Sequence, residues 1–454
     1  MVQHRAARMV NSNYRTTSIV TKMLSQLEWP TIQERKAEAK VIMLFGALNH
    51  LIFIPADKVL EIYELQLLEN RVLANSICRH ATGDKAIMNG GSDYDGRHHL
   101  FAAGLDDECH VFSLKYRVTS PDKRKKDSGD NSNLRKRKEE NDSSGKSDNT
   151  GNGETKQISF DIEKITSVKT DFHKDGSFQK VVQISRCRQF LATGGVDGYL
   201  RVWKYPDMKK SMEIQAHKND IDDIDISPDS QYIVTVSREK NGFVWKAKDG
   251  KKHTDLNGPE EYRFRACRYG LIEGNKDKFN LYTISIPLKR TQKPQPCYLT
   301  SWDSSSFQSK GNQTTGTEVL SSLAVSDDGI YVAVGTISGS VGVYISFSLQ
   351  KLYYIKEIHS IFVTGLAFMP SSEAARSVTG NQDFTLMSIS ADNTIRVHQV
   401  APRGIVKYNE THNPMRVRVT FKVKVTYVRS NMQLIPAVQQ SGYLSVVKFN
   451  WIQS

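Results

Sequence analysis

The stretch Leu191 to Trp203, LATGGVDGYLRVW, constrains the chain more than any other. An apolar run reaches a pair of glycines, an Asp-Gly turn reverses the direction, and an alternating run returns to an aromatic. That is the pattern of a β-hairpin with turn chemistry to match. The unit recurs at Leu100 to Phe112 (LFAAGLDDECHVF), Ile233 to Trp245 (IVTVSREKNGFVW), Val332 to Tyr344 (VAVGTISGSVGVY) and Leu386 to His398 (LMSISADNTIRVH). Each copy keeps the length, the central turn and a closing aromatic or imidazole.

Tyr63 in VLEIYEL and Trp302 in CYLTSWD extend the anchors to positions 63, 112, 203, 245, 302, 344 and 398, and two intervals, 203 to 245 and 302 to 344, equal 42. A period near 40 to 45 with an Asp turn and a closing Trp marks WD-type blades, each a four-stranded sheet. The expectation is an all-β, seven-bladed WD-type propeller whose first blade is incomplete. Repeats of this kind let 454 residues form one unit rather than several domains.

Charge is placed unevenly, and its placement decides what it can mean. Residues 1–58 hold 8 Lys/Arg against 4 Asp/Glu, residues 117–146 hold 10 against 6, and residues 403–454 hold 8 against 1, which more than accounts for the net +13. The repeats are therefore close to neutral, which argues against a folded nucleic-acid-reading face. The insert 117–155 is rich in Ser, Asn, Asp, Gly and Lys and reads as disordered. Its clusters Lys123 to Lys126 and Arg135 to Lys138 suit a solvated loop or weak, non-specific nucleic-acid contact.

The five cysteines are odd in number and widely spaced, which fits buried, reduced thiols and no metal site. The most apolar run, 41–55, falls short of the roughly 20 residues that span a bilayer. Three segments follow: a helical extension over 1–58, with a Thr31-x-x-Glu34 capping pattern; the propeller over 59–402; and a basic tail over 403–454. Within the tail, 415–428 alternates Val, Phe and Tyr with Arg, Lys and Thr, a period-2 strand suited to an edge left by lost outer strands of the first blade.

His217 and His359 open blades, and Asp197 and Asp392 sit in the tight turns. Together with Trp203, Trp245 and Trp302 they are expected to be structural blade residues, since a His and an Asp tens of residues apart in a repeat rarely mean catalysis. Glu239-Lys240-Asn241 replaces the Asp-Gly turn in one blade, and Tyr344 and His398 stand where Trp is usual. No catalytic residue is assigned.

The runs TDFHKDGSFQKVV, LATGGVDGYLRVWKYP, YRFRACRYG, PCYLTSWDSSSF and GTISGSVGVYISFSLQKLYYIKEIHSIFVTGLAFMP carry a resemblance that spans 59–402. Over that range the chain resembles the prolactin regulatory element-binding protein family, the animal exchange factors for the Sar-type small GTPase. The resemblance implies a propeller on the cytosolic face of the endoplasmic reticulum that regulates a GTPase without covalent chemistry and promotes COPII coat assembly. It also implies a glycine-rich, potassium-binding loop just before the strand matching Val59 to Leu65, and a membrane anchor after the last blade. Neither motif stands in this sequence, so no cofactor is expected and the chain is expected to be cytosolic without an anchor.

By position, Lys85, Met88 and Asn89 become the candidate GTPase-facing residues. A non-catalytic scaffold that binds the GTPase or coat, and a DNA-binding regulator, are the alternatives. Residues 1–58 resemble the C-terminal stretch of non-LTR retrotransposon reverse transcriptases, without the polymerase's catalytic motif.

Overall fold

The computed structural model describes residues 51–119, 157–400 and 417–422 apart from a few short turns. The helices expected before residue 51 and most of the basic insert and tail lie outside these. The described strands form seven antiparallel sheets in chain order. Sheet one is β1 (Leu51–Ala56), β2 (Val59–Leu68) and β3 (Arg71–Ala81), and sheet two is β4 (Ile87–Tyr94), β5 (His99–Leu105), β6 (Glu108–Thr119) and β7 (Gln157–Lys169). Sheet three runs β8 (Gln179–Ile184), β9 (Phe190–Gly195), β10 (Tyr199–Lys204), β11 (Lys209–Gln215), and sheet four β12 (Ile221–Ile226), β13 (Tyr232–Ser237), β14 (Gly242–Lys246), β15 (Lys252–Leu256). Sheet five is β16 (Tyr262–Ile272), β17 (Asn275–Pro287), β18 (Cys297–Asp303) and β19 (Ser309–Gly316). Sheet six is β20 (Leu320–Val325), β21 (Tyr331–Thr336), β22 (Val341–Ile345), β23 (Lys351–Ile355), and sheet seven β24 (Val363–Phe368), β25 (Phe384–Ser390), β26 (Thr394–Val400), β27 (Val417–Lys422).

The first strands β4, β8, β12, β16, β20 and β24 adjoin one another in sequence around the axis. Sheet one closes the ring, with β3 touching both β7 and β27. This is a WD-type β-propeller, and we label the strands of a blade a to d from axis to rim. Turns joining b to c, and connections from d to the next a, form the upper face; a–b and c–d turns form the lower face.

The recurring thirteen-residue unit is the b–c hairpin, and its two ends are register partners: Leu191 with Trp203, Ile233 with Trp245, Val332 with Tyr344, Leu386 with His398. All seven anchors are buried, and burying one such side chain contributes about 2 kcal/mol. They pack between adjacent sheets, as where Trp302 and Phe264 of blade five meet Val234 of blade four. A one-residue register shift recurs beside them in the c–d ladder, at Val111/Phe112, Val202/Trp203, Val244/Trp245, Ser301/Trp302 and Val343/Tyr344. A second shift falls near the start of every a–b ladder, and the b–c ladders have none.

These shifts identify the strands of the three-stranded sheet. β1 pairs with β2 without interruption, and β2 with β3 through a shift at Ile62/Tyr63, so β1, β2 and β3 are b, c and d. Among the described residues the first blade therefore lacks its axial strand, whereas the sequence suggested lost outer strands. The tail strand β27 lies elsewhere, as strand d of blade seven, pairing Val419 with Val397 and Phe421 with Ile395. The segment boundaries also move. Leu51–Ala56 is propeller strand rather than helical extension, and 117–119 end β6 rather than begin the insert. Composition misplaced both, because charged residues are normal on an outer strand and Pro55 reads as a strand breaker.

Blades three to six share one c–d turn. The amide of Met208, Gly250, Phe307 or Leu349 donates to the carbonyl of Lys204, Lys246, Asp303 or Ile345 at 2.8, 2.9, 2.8 and 2.8 Å. All four donors have positive φ, 55°, 69°, 54° and 55°. The three non-glycine side chains are buried, which offsets the cost of the left-handed backbone. Inter-blade packing also uses charge. Asp223 accepts from the Cys267 amide at 3.0 Å and from Arg268 at 2.6 Å, while Asp225 accepts from the Tyr269 amide at 2.6 Å and from Gln183 at 2.8 Å. The axial edge of β16 has no neighbouring strand, so these carboxylates satisfy amides that a buried edge would otherwise leave unpaired.

Candidate functional site

The upper face is assembled from short turns whose carboxylates and imidazoles are already engaged. In blade seven the Asp392 carboxylate accepts from the Ser360 amide at 2.9 Å and the Thr394 hydroxyl at 2.6 Å. His359 contacts Thr394 Oγ1 at 2.9 Å and Ser388 Oγ at 2.8 Å; Ser388 in turn meets His398 at 2.8 Å, and Tyr353 meets the far ring nitrogen of His398 at 3.1 Å. His398 thus fills the place of the usual Trp. Burial opposes ionisation of Asp392, yet the hydrogen bonds from His359, Thr394 and Ser360 outweigh it and hold the carboxyl well below the ordinary carboxylate range.

Blade four repeats the chain with different residues. His217 meets Thr235 Oγ1 at 2.9 Å, and Trp245 Nε1 donates to the same oxygen at 2.9 Å. Glu239, from the turn that departs from Asp-Gly, accepts from the Lys218 and Asn219 amides at 2.7 and 3.1 Å and lies 3.4 Å from His217. Its longer arm reaches from a longer turn to the place that Asp392 takes in blade seven. Burial lowers the His217 pKa against the opposing pull of Glu239, so the ring is neutral at physiological pH. Sequence reading noted Glu239 only as a departure from the Asp-Gly turn and gave it no role, though a carboxylate inside a b–c turn was the available signal.

Asp197 has another partner, Arg201, at 2.8 Å, and accepts from the Phe172 amide at 3.1 Å. Arg201 is buried, also pairs with Glu213 at 2.7 Å, and lies 4.9 Å from the Phe172 ring centroid. Trp203 and Trp302 donate to Thr193 and Thr283, each at 2.9 Å. The aromatic, histidine and turn-acid positions therefore tie b, c and the preceding d–a loop into one unit per blade.

What the face leaves free is apolar surface. Phe172, Ile337, Ile361 and Phe362 are exposed there, and Ser390 Oγ binds the carbonyls of Ile361 and Phe362 at 3.3 and 2.8 Å, fixing their loop against blade seven. Met88 and Asn89 lie in the axial strand of blade two, where Asn89 pairs with Gly104 beside the b–c turn. They are thus on the upper face, next to blade one; Lys85 lies outside the described residues. The b–c hairpin of blade one occupies the place where the resemblance implied a glycine-rich loop. Ala56 pairs directly with Val59, leaving two residues between them. The two residues between them, Asp57 and Lys58, include no glycine, so they do not match the glycine-rich, potassium-binding run that the resemblance implied.

The cysteines are free. Cys109, Cys267 and Cys297 are buried, but Cys78 is only part-buried and Cys187 is exposed on the lower face, correcting the expectation that all are buried. The lower-face turn between β8 and β9 carries Cys187, a place the spacing of cysteines in sequence does not reveal. Among the described residues no His, Cys, Asp and Glu cluster could hold a metal ion, and no helix is long and apolar enough to cross a membrane.

The family described as WD domain, G-beta repeat, matches residues 161–204 and 208–246, covering blade three and much of blade four. The chain is 35% identical over 351 residues to the mouse guanine nucleotide-exchange factor SEC12, covering 76% of this chain and 82% of that protein. The rat counterpart is 34% identical over the same shares. SEC12-like protein 1 of Arabidopsis thaliana is 29% identical over 200 residues, 44% of this chain and 48% of that one. Among solved structures, Raptor from Chaetomium thermophilum superposes with a TM-score of 0.55 at 12% identity, over 80% of this chain and 28% of that chain, a likeness of fold alone.

Proposed function

This chain belongs to the SEC12 family of guanine nucleotide-exchange factors, and we propose from that premise that it loads a Sar-type small GTPase with GTP. The substrate is the GDP-bound GTPase, the product is the GTP-bound form, and the consequence is COPII coat assembly at the cytosolic face of the endoplasmic reticulum. The 35% identity over 351 residues is the observation that carries this reading.

The mechanism requires contacts rather than covalent chemistry. A GTPase holds its nucleotide through backbone amides, a lysine and Mg²⁺ around the phosphates. A surface that binds the nucleotide-free form better than the loaded form lowers nucleotide affinity by the same factor, because coupling between two ligands is reciprocal. The upper face is suited to that competition. Its acids are already bonded within the blades, so they hold turns in place, and exposed Phe172, Ile361 and Phe362 supply non-polar contact. We place the GTPase over blades one, two and seven, with Met88 and Asn89 in reach. In this reading displacement relies on the upper surface, because the sequence at the hairpin of blade one carries no glycine-rich run.

Mixing the purified chain with GTPase loaded with a fluorescent GDP analogue tests the reading. Release should accelerate in proportion to the amount of chain added. Release at the spontaneous rate, with binding intact in a pull-down, would leave a non-catalytic scaffold as the correct description.

A further inference from the structure

The lower face, which the exchange reading does not use, carries a surface of a different kind. Its most exposed large hydrophobic side chain is Phe347, 81% accessible, in the c–d turn of blade six. That turn is the one shared by blades three to six, so the place of Phe347 can be compared across them. Counting three residues on from the anchor gives Phe347 after Tyr344, Lys248 after Trp245 and Pro206 after Trp203. Because the turns share their closing hydrogen bond and their left-handed residue, Phe347 and Lys248 stand at equivalent tips of one face.

Lys248 does not stand alone. Lys204, Lys209 and Lys246 are also exposed on the c–d turns of blades three and four, and none of the four has an ion pair among the described residues. The two blades meet at this level. The Cys187 amide donates to Ser230 Oγ at 3.3 Å, joining their a–b turns, and Gly250 lies against Ile214 and Met212 of the neighbouring outer strand. Asp207 and Asp249 are exposed in the same turns, Asp249 lying 3.9 Å from Lys251, so the four lysines leave these two turns with a net positive charge on a propeller that is otherwise near neutral.

We propose that the lower face is a docking surface for an anionic lipid bilayer, with these lysines over the headgroups and Phe347 entering the interfacial layer. Charge complementarity and the exposed aromatic select this occupant. Lysine ammonium groups spread along a rim attract a sheet of negative charge without the forked geometry that reads an individual phosphate. A phenyl ring at a turn tip adds apolar area that only a bilayer or an apolar pocket rewards. The inference does not rest on exchange activity, since the upper face points the other way.

Co-sedimentation of the full chain with vesicles tests it, using phosphatidylcholine alone and phosphatidylcholine with a quarter phosphatidylserine. Binding should appear only with phosphatidylserine and fall steeply with salt. The double variant Lys246→Glu, Lys248→Glu should weaken it at least tenfold, and Phe347→Ser several-fold, with thermal unfolding of both variants unchanged. A Phe347→Trp variant should shift its emission to the blue on the anionic vesicles. Equal binding to both compositions, binding to neither, or anionic binding that survives all these substitutions would overturn the proposal, as would retention of the chain on duplex DNA or polyglutamate while vesicles are ignored.

Discussion

At the scale of the residue, Asp225 shows how much the packing between blades asks of a single group. Burial pushes its pKa up to about 6, against the opposing influence of Arg268 and the hydrogen bond from the Tyr269 amide. In the unfolded chain the same carboxyl has its ordinary pKa of about 3.9. Between those values the folded state binds the extra proton, so the contribution of Asp225 is fully present below pH 4 and declines as pH rises through 6. Chemical denaturation across that range should show wild type losing about 3 kcal/mol relative to Asp225→Asn; a constant difference would contradict the assignment. The anchors were legible in the sequence because an aromatic closing each hairpin is a pattern of residue types. The left-handed backbone at Met208, Phe307 and Leu349 was not, since nothing in those side chains favours positive φ.

At the scale of the element, the b–c turn carries the upper face, and its glycine has a defined task. Gly339 has φ of 86°, and a Cβ there would lie 2.1 Å from the His359 carbonyl oxygen. Gly339→Ala should therefore destabilise the protein by about 1–3 kcal/mol, whereas Gly311→Ala, whose added methyl would meet only Leu349 at 3.6 Å, should be nearly neutral in the same denaturation series. Hairpins of this kind could be read directly, because Asp-Gly and Ser-Gly turns between alternating runs leave one conformation. The identity of the turn acid could not. Glu239 and Asp392 do the same work from turns of different length, and only the three-dimensional path shows that the reach is equal. Membership of the candidate site was poorly legible for a related reason: exposure of Phe172 and Phe362 depends on where neighbouring loops lie.

At the scale of the whole molecule, closure of the ring depends on elements far apart in the chain. The short helix α1 (Glu373–Thr379), capped by Ser372 in the a–b connection of blade seven, touches β2 of blade one, and the tail strand β27 touches β3. Ending the chain at Pro402 removes β27 and exposes the edge of β26. That truncation should lower the unfolding temperature by several degrees and promote association through the bared edge, measurable by calorimetry and light scattering. Repeat number was written in the anchors, but which strands of the first blade the described residues supply was not, because that distinction lives in register shifts. Its consequence is mechanical. Among the described residues, blades two to seven meet through their axial strands, whereas blade one is held through β2 and β3 by the helix and outer strand of blade seven and the outer strand of blade two, so it behaves as the split in a washer. Strain imposed on the disc from either face will be relieved there first, beside the surface where a GTPase would press.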